Sequence, residues 1–375
     1  MAEATADLDH QFCKEMEKII EESVCGYPFL SYLCSKRTLI MNKRPFYLVF
    51  TVLLTVCAGV LPAKAQYYKS TPENHYLQLR DELESQQRST DEQKEALWKM
   101  VGTGSFQAMM YMGHYLKDAS LSKVAASVAA SIALNHKEYD GKAMRDLLRK
   151  ARPLLRGKQL KAVDNFLRTR QKGGFFSIFD GKTLKGWKGL VDNPIKRATM
   201  STAEMAEKQK TADEAMRRDW KVMDGELVYV GSGFDNICTI DKYRDFEMYV
   251  DWRLDPAGKE PDAGVYLRGT PQVQIWDTAR VNVGAQVGSG GLYNNQKHQS
   301  KPLRVADNQL GKWNSFLIRM VGDRVSVWLN GVKVVDNVVM ENYWDRSQPI
   351  PANDQIELQA HGSRVYFRDI YIRRL

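Results

Sequence analysis

Cysteine is scarce in this chain of 375 residues, which has five of them. Four precede residue 60, and only Cys238 lies in the rest of the chain. No Cys-x-x-Cys pair occurs, so the spacing suggests no zinc site, and the part that keeps only Cys238 can form no internal disulfide. The apolar run from Phe46 to Leu61 is also shorter than the roughly 20 residues that a membrane-spanning helix needs.

Motifs for nucleic-acid and dinucleotide binding are missing as well. The formal net charge is +9, but Lys and Arg are scattered, without a helix-turn-helix, zinc-finger or RNA-binding aromatic motif. We therefore expect no nucleic-acid partner. Because no Gly-x-Gly-x-x-Gly motif follows a strand pattern, we also do not expect the chain to carry out a nicotinamide- or flavin-dependent oxidation by itself.

The N-terminal region contains the three parts of an export signal. Met41–Arg44 is a short basic start, Phe46–Leu61 is apolar, and Ala63–Ala65 has the Ala-x-Ala form of a cleavage site. This order predicts a signal peptide over residues 41–65 and an exported, periplasmic protein with no stable membrane insertion after processing. Such a signal works at an N-terminus, so we interpret residues 1–40 as an upstream extension of the reading frame. The alternative is a signal anchor with a cytoplasmic tail.

Residues 66–170 carry the period of α-helices. Pro72 suits the first turn of a helix, and Ser89 with Glu92 has the spacing of a capping box. Apolar residues then recur at helical spacing at Leu121, Val124, Ala125, Val128 and Ile132. The pattern predicts a small bundle of antiparallel helices, with HEAT-like pairing as one arrangement.

After the linker at residues 171–174 the pattern changes to short strands. Residues 246–254 alternate between apolar and polar side chains. Asp224-Gly225 and Asn330-Gly331 lie between alternating runs, and such pairs favour two-residue hairpin turns. We therefore expect an α+β multidomain chain, in which a helical bundle is followed by an antiparallel β-sandwich over residues 171–375.

One polar segment interrupts the strand pattern. Residues 195–218 are rich in Ala, Met, Lys and Glu, and Ser201 precedes Glu204 with capping-box spacing. We interpret this segment as a helical excursion. It is either surface decoration or a wall beside the ligand-binding face.

Several predicted strands share an unusual polar face. Because these residues alternate with apolar neighbours, one face of the predicted strands carries an acid, a cation, amides, aromatic rings and an imidazole. They are Glu357, Gln359, His361, Tyr266, Arg268, Gln272, Gln274 and Trp276. Rings cover C–H surface and amides satisfy hydroxyl groups, so this face suits a neutral, hydroxyl-rich ligand.

Short motifs along residues 175–375 carry a family resemblance. They are FDGKTLKGW from Phe179, Trp220 with Asp224-Gly225, YRDFE from Tyr243, AGVYLR from Ala263, QVQIWD from Gln272, Gly291-Leu-Tyr293, Trp313-Asn314, Asn330-Gly331 and LQAHG from Leu358. In this order they resemble the 3-keto-disaccharide hydrolase domain family, which has a concanavalin-like jelly-roll sandwich. Two positions depart from the family pattern. Asp262-Ala263-Gly264 replaces a common Asn-Ser-Gly, and Ala360 stands where Asp is common before His-Gly.

The resemblance implies cleavage of glycosides already oxidised at C3 of the sugar. A C3 ketone acidifies the C2–H bond, so a base can form an enolate that expels the O1 substituent, and water adds afterwards. Such a site needs a base that titrates near neutral pH and a group that stabilises the enolate oxygen. The implied partners are an oxidised 3-keto sugar as substrate and a separate sugar 3-oxidoreductase that supplies it.

Candidate catalytic residues follow from these needs. His361 is the first candidate for the base, with Asp277 and Glu357 as further acid–base groups and Arg268 for the carbonyl or enolate oxygen. Substrate-binding roles are expected for Gln274, Gln359, Tyr293, Trp276 and Tyr266. No cofactor follows with certainty from the sequence, although His361, Asp277 and Glu357 are a candidate set for a divalent metal.

Two other function classes stay open. A noncatalytic carbohydrate-binding sandwich would present the same amides and rings. A retaining glycanase needs two carboxylates about 5–5.5 Å apart. The usual E-x-D-x-x-E or E-x-D-x-E strand is absent from the chain.

Overall fold

The computed structural model describes residues 70–85, 87–171 and 173–375. The predicted upstream extension, signal peptide and cleavage site lie outside the described residues. Among the residues that are described, no helix has the length and apolarity needed to cross a membrane.

The N-terminal part of the described chain is helical, as the apolar period predicts. Its helices are α1 (Pro72–Ser85), α2 (Thr90–Lys99), α3 (Phe106–Tyr111), α4 (Ser122–Asn135), α5 (Lys142–Ala151) and α6 (Gly157–Arg168). Short 3-10 helices lie at Met100–Thr103, Met112–Tyr115, Lys137–Tyr139 and Arg152–Leu154. The capping box before α2 is formed, since the Ser89 hydroxyl accepts from the Glu92 N–H and the Glu92 carboxylate accepts from the Ser89 N–H at 2.8 Å.

The C-terminal part consists of strands and one helical insertion. The strands are β1 (Phe176–Ser177), β2 (Trp187–Gly189), β3 (Trp220–Met223), β4 (Glu226–Tyr229), β5 (Ile237–Thr239), β6 (Phe246–Leu254), β7 (Asp262–Leu267), β8 (Thr270–Trp276), β9 (Asn314–Val321), β10 (Arg324–Leu329), β11 (Val332–Val339), β12 (Glu357–Leu358) and β13 (Val365–Arg374). The insertion forms α7 (Pro194–Thr199) and α8 (Thr202–Asp219), where the Ser201 hydroxyl caps α8 by accepting from the Glu204 N–H.

Two antiparallel sheets form the predicted sandwich. One has the order β11-β10-β9-β6-β13-β4-β3, with β1 beside β13, and the other has the order β2-β5-β12-β7-β8. Asn330 and Gly331 both have positive φ in the β10–β11 turn, which is the conformation that a tight hairpin requires. Between the sheets lies a buried core that includes Trp252, Phe316 and Ile275, so the sandwich fold is confirmed.

The six helices α1–α6 pack on the outer face of the larger sheet. Four aromatic or aliphatic side chains of that face belong to the helical core: Tyr249, Leu317, Tyr366 and Tyr371. Phe106 of α3 stacks on Tyr249 with ring centroids 5.2 Å apart and an interplanar angle of 8°. The helices leave no room for a large ligand on this face. The outer face of the smaller sheet is not covered by these helices.

Candidate active site

A cavity of about 430 Å³ opens on the outer face of the five-stranded sheet. Six residues predicted for the site line it: Tyr266, Gln274, Trp276, Tyr293, Gln359 and His361. The other lining residues are Glu260, Asp262, Pro271, Gln272, Arg280, Val283, Asn294, Tyr343 and Trp344. The cavity therefore gathers most of the polar face on which the sequence prediction rests.

Strand register explains why these side chains meet. In the β7–β8 pair, Asp262 is opposite Trp276, and in the β12–β7 pair, Glu357 is opposite Tyr266. Residues that are opposite in an antiparallel pair point to the same face. The polar set thus becomes a continuous surface across three strands.

Gly264 leaves space in this surface because it has no side chain. It is opposite Gln274 in the ladder, and a Cβ at Gly264 would lie 3.0 Å from side-chain atoms of both Gln272 and Gln359. The missing side chain lets these amides approach each other from neighbouring strands. Any larger residue would have to displace them.

Asp262 is an acidic residue of the cavity wall that was not among the predicted site residues. Its Oδ1 accepts from Gln274 Nε2 at 2.7 Å and its Oδ2 accepts from Trp276 Nε1 at 2.9 Å. Burial raises the pKa of Asp262, while the nearby His361 and the two hydrogen bonds oppose that rise. Its parity with Gly264 and Tyr266 on β7 would have placed it on this face.

Arg280 supplies the cation of the cavity. Its guanidinium lies 3.5 Å from Asp262 Oδ2 and 3.8 Å from Glu260 Oε2. The Nη1 atom of Arg280 is buried and has no hydrogen-bond partner among the described residues. Arg280 lies in the loop after β8, where strand alternation does not apply, so no sequence pattern predicts its place in the site.

His361 and Gln359 present unsatisfied polar atoms. His361 Nδ1 and Gln359 Oε1 are both buried without a hydrogen-bond partner among the described residues. The His361 ring meets Phe234 edge-on, with centroids 5.1 Å apart. Buried polar atoms are normally paired, so two unpaired atoms on one cavity wall indicate a place where a ligand supplies the partner.

Aromatic rings form the rim of the cavity. Trp276 and Tyr293 are edge-to-face with centroids 5.0 Å apart, and Tyr293 is half exposed. On the opposite loop, Tyr343 and Trp344 also pack edge-to-face, and Trp344 Nε1 donates to the Gly269 carbonyl at 2.7 Å. These rings can cover the C–H faces of a sugar.

The predicted position of Arg268 on the ligand-binding face is wrong. β7 ends at Leu267, and Arg268 lies in the β7–β8 turn with a φ of 51°. Its buried guanidinium donates to the carbonyl of Ala352 at 3.0 Å and to that of Gly322. Strand parity does not continue through a turn, so Arg268 stabilises backbone outside the cavity.

Asp277 also lies outside the cavity lining. Its carboxylate accepts from the Ala279 N–H at 3.0 Å, which fixes the turn after β8. The strand ends just before it and does not redirect its side chain to the lining of the cavity.

Glu357 shares the predicted face but is buried beside the cavity, where it does not form part of the lining. Burial raises its pKa to about 7, although Arg197 acts in the opposite direction. Arg197 belongs to α7 of the insertion and lies 3.8 Å from Glu357 and 3.1 Å from Asp354. The insertion therefore packs against the same sheet face and supplies charge to it.

The candidate metal set is not assembled. Among residues 70–85, 87–171 and 173–375, no group of three or more His, Cys, Asp or Glu side chains could hold a metal ion. His361 lines the cavity, whereas Asp277 and Glu357 do not. These residues do not fit a resident ion with three side-chain ligands.

A larger cavity, of about 520 Å³, lies where α5 meets β1. Two charges on its wall already pair with each other, Lys142 with Asp146. It holds none of the residues of the predicted polar face. We therefore place the candidate active site at the smaller sheet.

The part of the chain that forms the cavity matches a known family. Residues 174–373 match the 3-keto-alpha-glucoside-1,2-lyase-like domain. The chain belongs to this family. The match confirms the resemblance seen in the short motifs. It contains all the strands of the sandwich except the last residue of β13, and α1–α6 lie outside it.

Solved structures give weaker likenesses. A candidate glycosyl hydrolase from Parabacteroides distasonis is 22% identical, covering 54% of this chain and 94% of that one, with a TM-score of 0.39. A second from the same organism is 25% identical, covering 42% and 91%, with a TM-score of 0.35. The carbohydrate-binding module CBM66 from Bacillus subtilis is 11% identical, covering 49% and 93%, with a TM-score of 0.30. No curated protein sequence matches this chain.

Proposed function

We propose that this chain cleaves 3-keto-glycosides by eliminating the O1 substituent across C1 and C2, and that water then adds to the product. The observation that carries the proposal is His361, with an unpaired ring nitrogen, near the buried carboxylate of Asp262 in a cavity of rings and amides. Membership of the lyase-like family supports the substrate class.

In the first step, His361 removes the proton from C2. The C–H electrons form a C2=C3 double bond, and negative charge develops on the former ketone oxygen. Arg280, whose Nη1 lies 3.5 Å from Asp262 Oδ2 in an ion pair but makes no hydrogen bond among the described residues, is the cation on this wall suited to stabilise that charge. The anionic Asp262 stabilises the positive charge that His361 acquires.

In the second step, the ketone re-forms and the C1–O1 bond breaks. The enolate electrons become a C1=C2 double bond, the departing oxygen takes a proton from the solvent, and His361 returns to the solvent the proton that it removed from C2. Water then adds, with its oxygen bonding to C1 and a proton returning to C2. The products are the free 3-keto sugar and the released alcohol, so atoms and charge balance.

The test compares one glycoside before and after C3 oxidation, in deuterated water. We expect cleavage of the oxidised substrate only, with deuterium at C2 of the released sugar. Cleavage of the unoxidised glycoside at a similar rate would instead indicate a conventional glycosidase. Cleavage of the keto substrate without deuterium at C2 would keep the substrate class and reject the elimination.

The noncatalytic carbohydrate-binding function is the alternative, because the same amides and rings would bind a sugar. It predicts that the chain binds the oxidised or unoxidised glycoside in calorimetry but turns over neither. Asp262→Asn separates the two functions further. An elimination site loses turnover in this variant, since an amide cannot neutralise the imidazolium, whereas a binding module keeps most of its affinity.

A further inference from the structure

A second cavity, of about 180 Å³, adjoins the candidate active site. The two cavities share four lining residues: Gln274, Trp276, Val283 and Tyr293. A molecule seated in the first cavity therefore extends into the second across the Trp276–Tyr293 ring pair. If the 3-keto sugar occupies the polar cavity, its O1 substituent is the part that reaches this neighbour.

The walls of the second cavity are mainly apolar. Besides the shared rings and Val283, they include Val287 and Pro302. Its polar side chains are Gln274, Ser300 and the exposed Lys301. Both ends of the Gln274 amide are already used, because its Nε2 donates to Asp262 and its Oε1 accepts from Gln272.

The loop that forms this cavity is tied to the sheet. The Gly290 N–H donates to the Gln274 carbonyl at 2.7 Å, and the Trp276 N–H donates to Ser289 Oγ at 2.8 Å. The Ser289 N–H donates in turn to the buried Asp307 carboxylate at 3.0 Å. One bond between backbone groups and two bonds to side chains therefore hold this loop against the sheet.

From this chemistry we propose that the leaving group is a flat, apolar alcohol, such as a phenolic or benzylic aglycone, and that a second sugar is disfavoured. This inference rests on the proposed function. A sugar would bring several hydroxyl groups into a site with few free partners, and a buried hydroxyl without a partner is unfavourable. An aromatic ring instead packs against Trp276, Tyr293 and the valines.

The position of acids in the site agrees with this choice. No carboxyl or imidazole lines the second cavity in the part of the chain that the structure describes, so a leaving group seated there meets no acidic side chain in that cavity. A phenol ionises near about pH 10, like the tyrosine side chain, and leaves as an anion more easily than a sugar alcohol.

The experiment uses three 3-keto-glucosides of one anomeric configuration, with methanol, benzyl alcohol or glucose as the leaving group. Benzyl alcohol separates ring binding from the intrinsic reactivity of a phenol. We expect kcat/KM for the benzyl substrate to exceed that for the glucosyl substrate by about tenfold or more. Val287→Asp should then lower the benzyl-to-methyl ratio of kcat/KM about tenfold, because the ring would meet a carboxylate.

Val281→Asp is the matched control, since Val281 is an exposed residue of the same loop that lines neither cavity. It should keep the wild-type ratio. If Val287→Asp unfolds the loop, as a lowered melting temperature would show, Val287→Thr makes the same test with a smaller change. Equal or better cleavage of the glucosyl substrate would overturn this inference alone. Failure to cleave any of the three would overturn the proposed function.

Discussion

The outer faces of the two sheets are both polar, but only one is covered. On the larger sheet, Arg80 of α1 pairs with Asp369 and with Glu84, and Arg368 pairs with Glu84 at 3.1 Å. On the smaller sheet, Asp262 is paired, while Nδ1 of His361 is buried and has no partner among the described residues. Charges on the covered face lie beneath the helices, whereas those of the open face include residues that line a cavity into which a ligand can fit.

This difference teaches that alternation alone does not mark a functional face. Strands β6 and β13 of the larger sheet alternate as clearly as β7 and β8, and they also carry acids, arginines and tyrosines outward. The helices convert one such face into an interior. The other keeps a cavity because only loops and the α7–α8 insertion border it.

The largest expected effect belongs to the open face. His361→Ala should lower kcat and kcat/KM for a 3-keto-glycoside by about 10²–10⁴-fold, as expected for loss of a general base. Thermal unfolding should change little, because the ring is half-exposed and Nδ1 makes no internal bond. His75→Ala, at an exposed position on α1, is the control. A variant that melts early but keeps its specific activity would make His361 structural.

On the covered face, a substitution should lower stability and leave kcat nearly unchanged. Arg80→Met leaves the Asp369 carboxylate buried without its main cation, so we expect a loss of about 3–5 kcal/mol in unfolding free energy, measured by urea denaturation. Adding Asp369→Asn should restore part of this loss. If Arg80→Met reduced kcat as strongly as His361→Ala without loss of stability, the division between the two faces would be mistaken.

Two arginines test the same comparison within the smaller sheet. Arg268→Met should cost about 1–3 kcal/mol of stability, because it leaves the carbonyls of Ala352 and Gly322 without donors, and it should change kcat little below its melting temperature. Arg280→Met should do the reverse and lower kcat at nearly constant stability. If the two variants changed stability and kcat to the same extent, the assignment of Arg268 to the turn and of Arg280 to the site would be wrong.

The smallest effect concerns pH. Burial raises the pKa of Glu357 to about 7, so the fold favours its protonated form. Its contribution to stability is complete below the unfolded pKa of about 4.3 and is lost as pH rises through about 7. Unfolding free energy should therefore fall between these values, and Glu357→Gln should reduce the slope.

The exposed Glu207→Gln is the control for this measurement and should leave the slope unchanged. On the covered face, burial raises the pKa of Asp251 to about 7 in the same way. Asp251→Asn should reduce the slope as well. A slope that neither variant alters would show that both carboxylates are ionised in the fold at acidic pH.

Sequence patterns predicted much of the fold and part of the site. Alternation placed Gln274, Trp276 and His361 on one face, and the cavity contains all three. The same rule failed for Arg268, because a turn with positive φ follows β7. Alternation also predicts Asp262 on this face, because it has the same parity as Gly264 and Tyr266 on β7. The export signal stays a prediction.

The sequence by itself determined the helix caps, the hairpins and the polar face of each strand, because these features depend on neighbouring residues and on the period of the backbone. Tertiary structure alone decided which polar face was covered by helices. It also brought Arg280 to Asp262 and Arg197 to Glu357, over separations of 18 and 160 residues. Such pairs form only where separate segments of the chain meet, and the path of those segments is set by packing against the sheet, which no local pattern encodes.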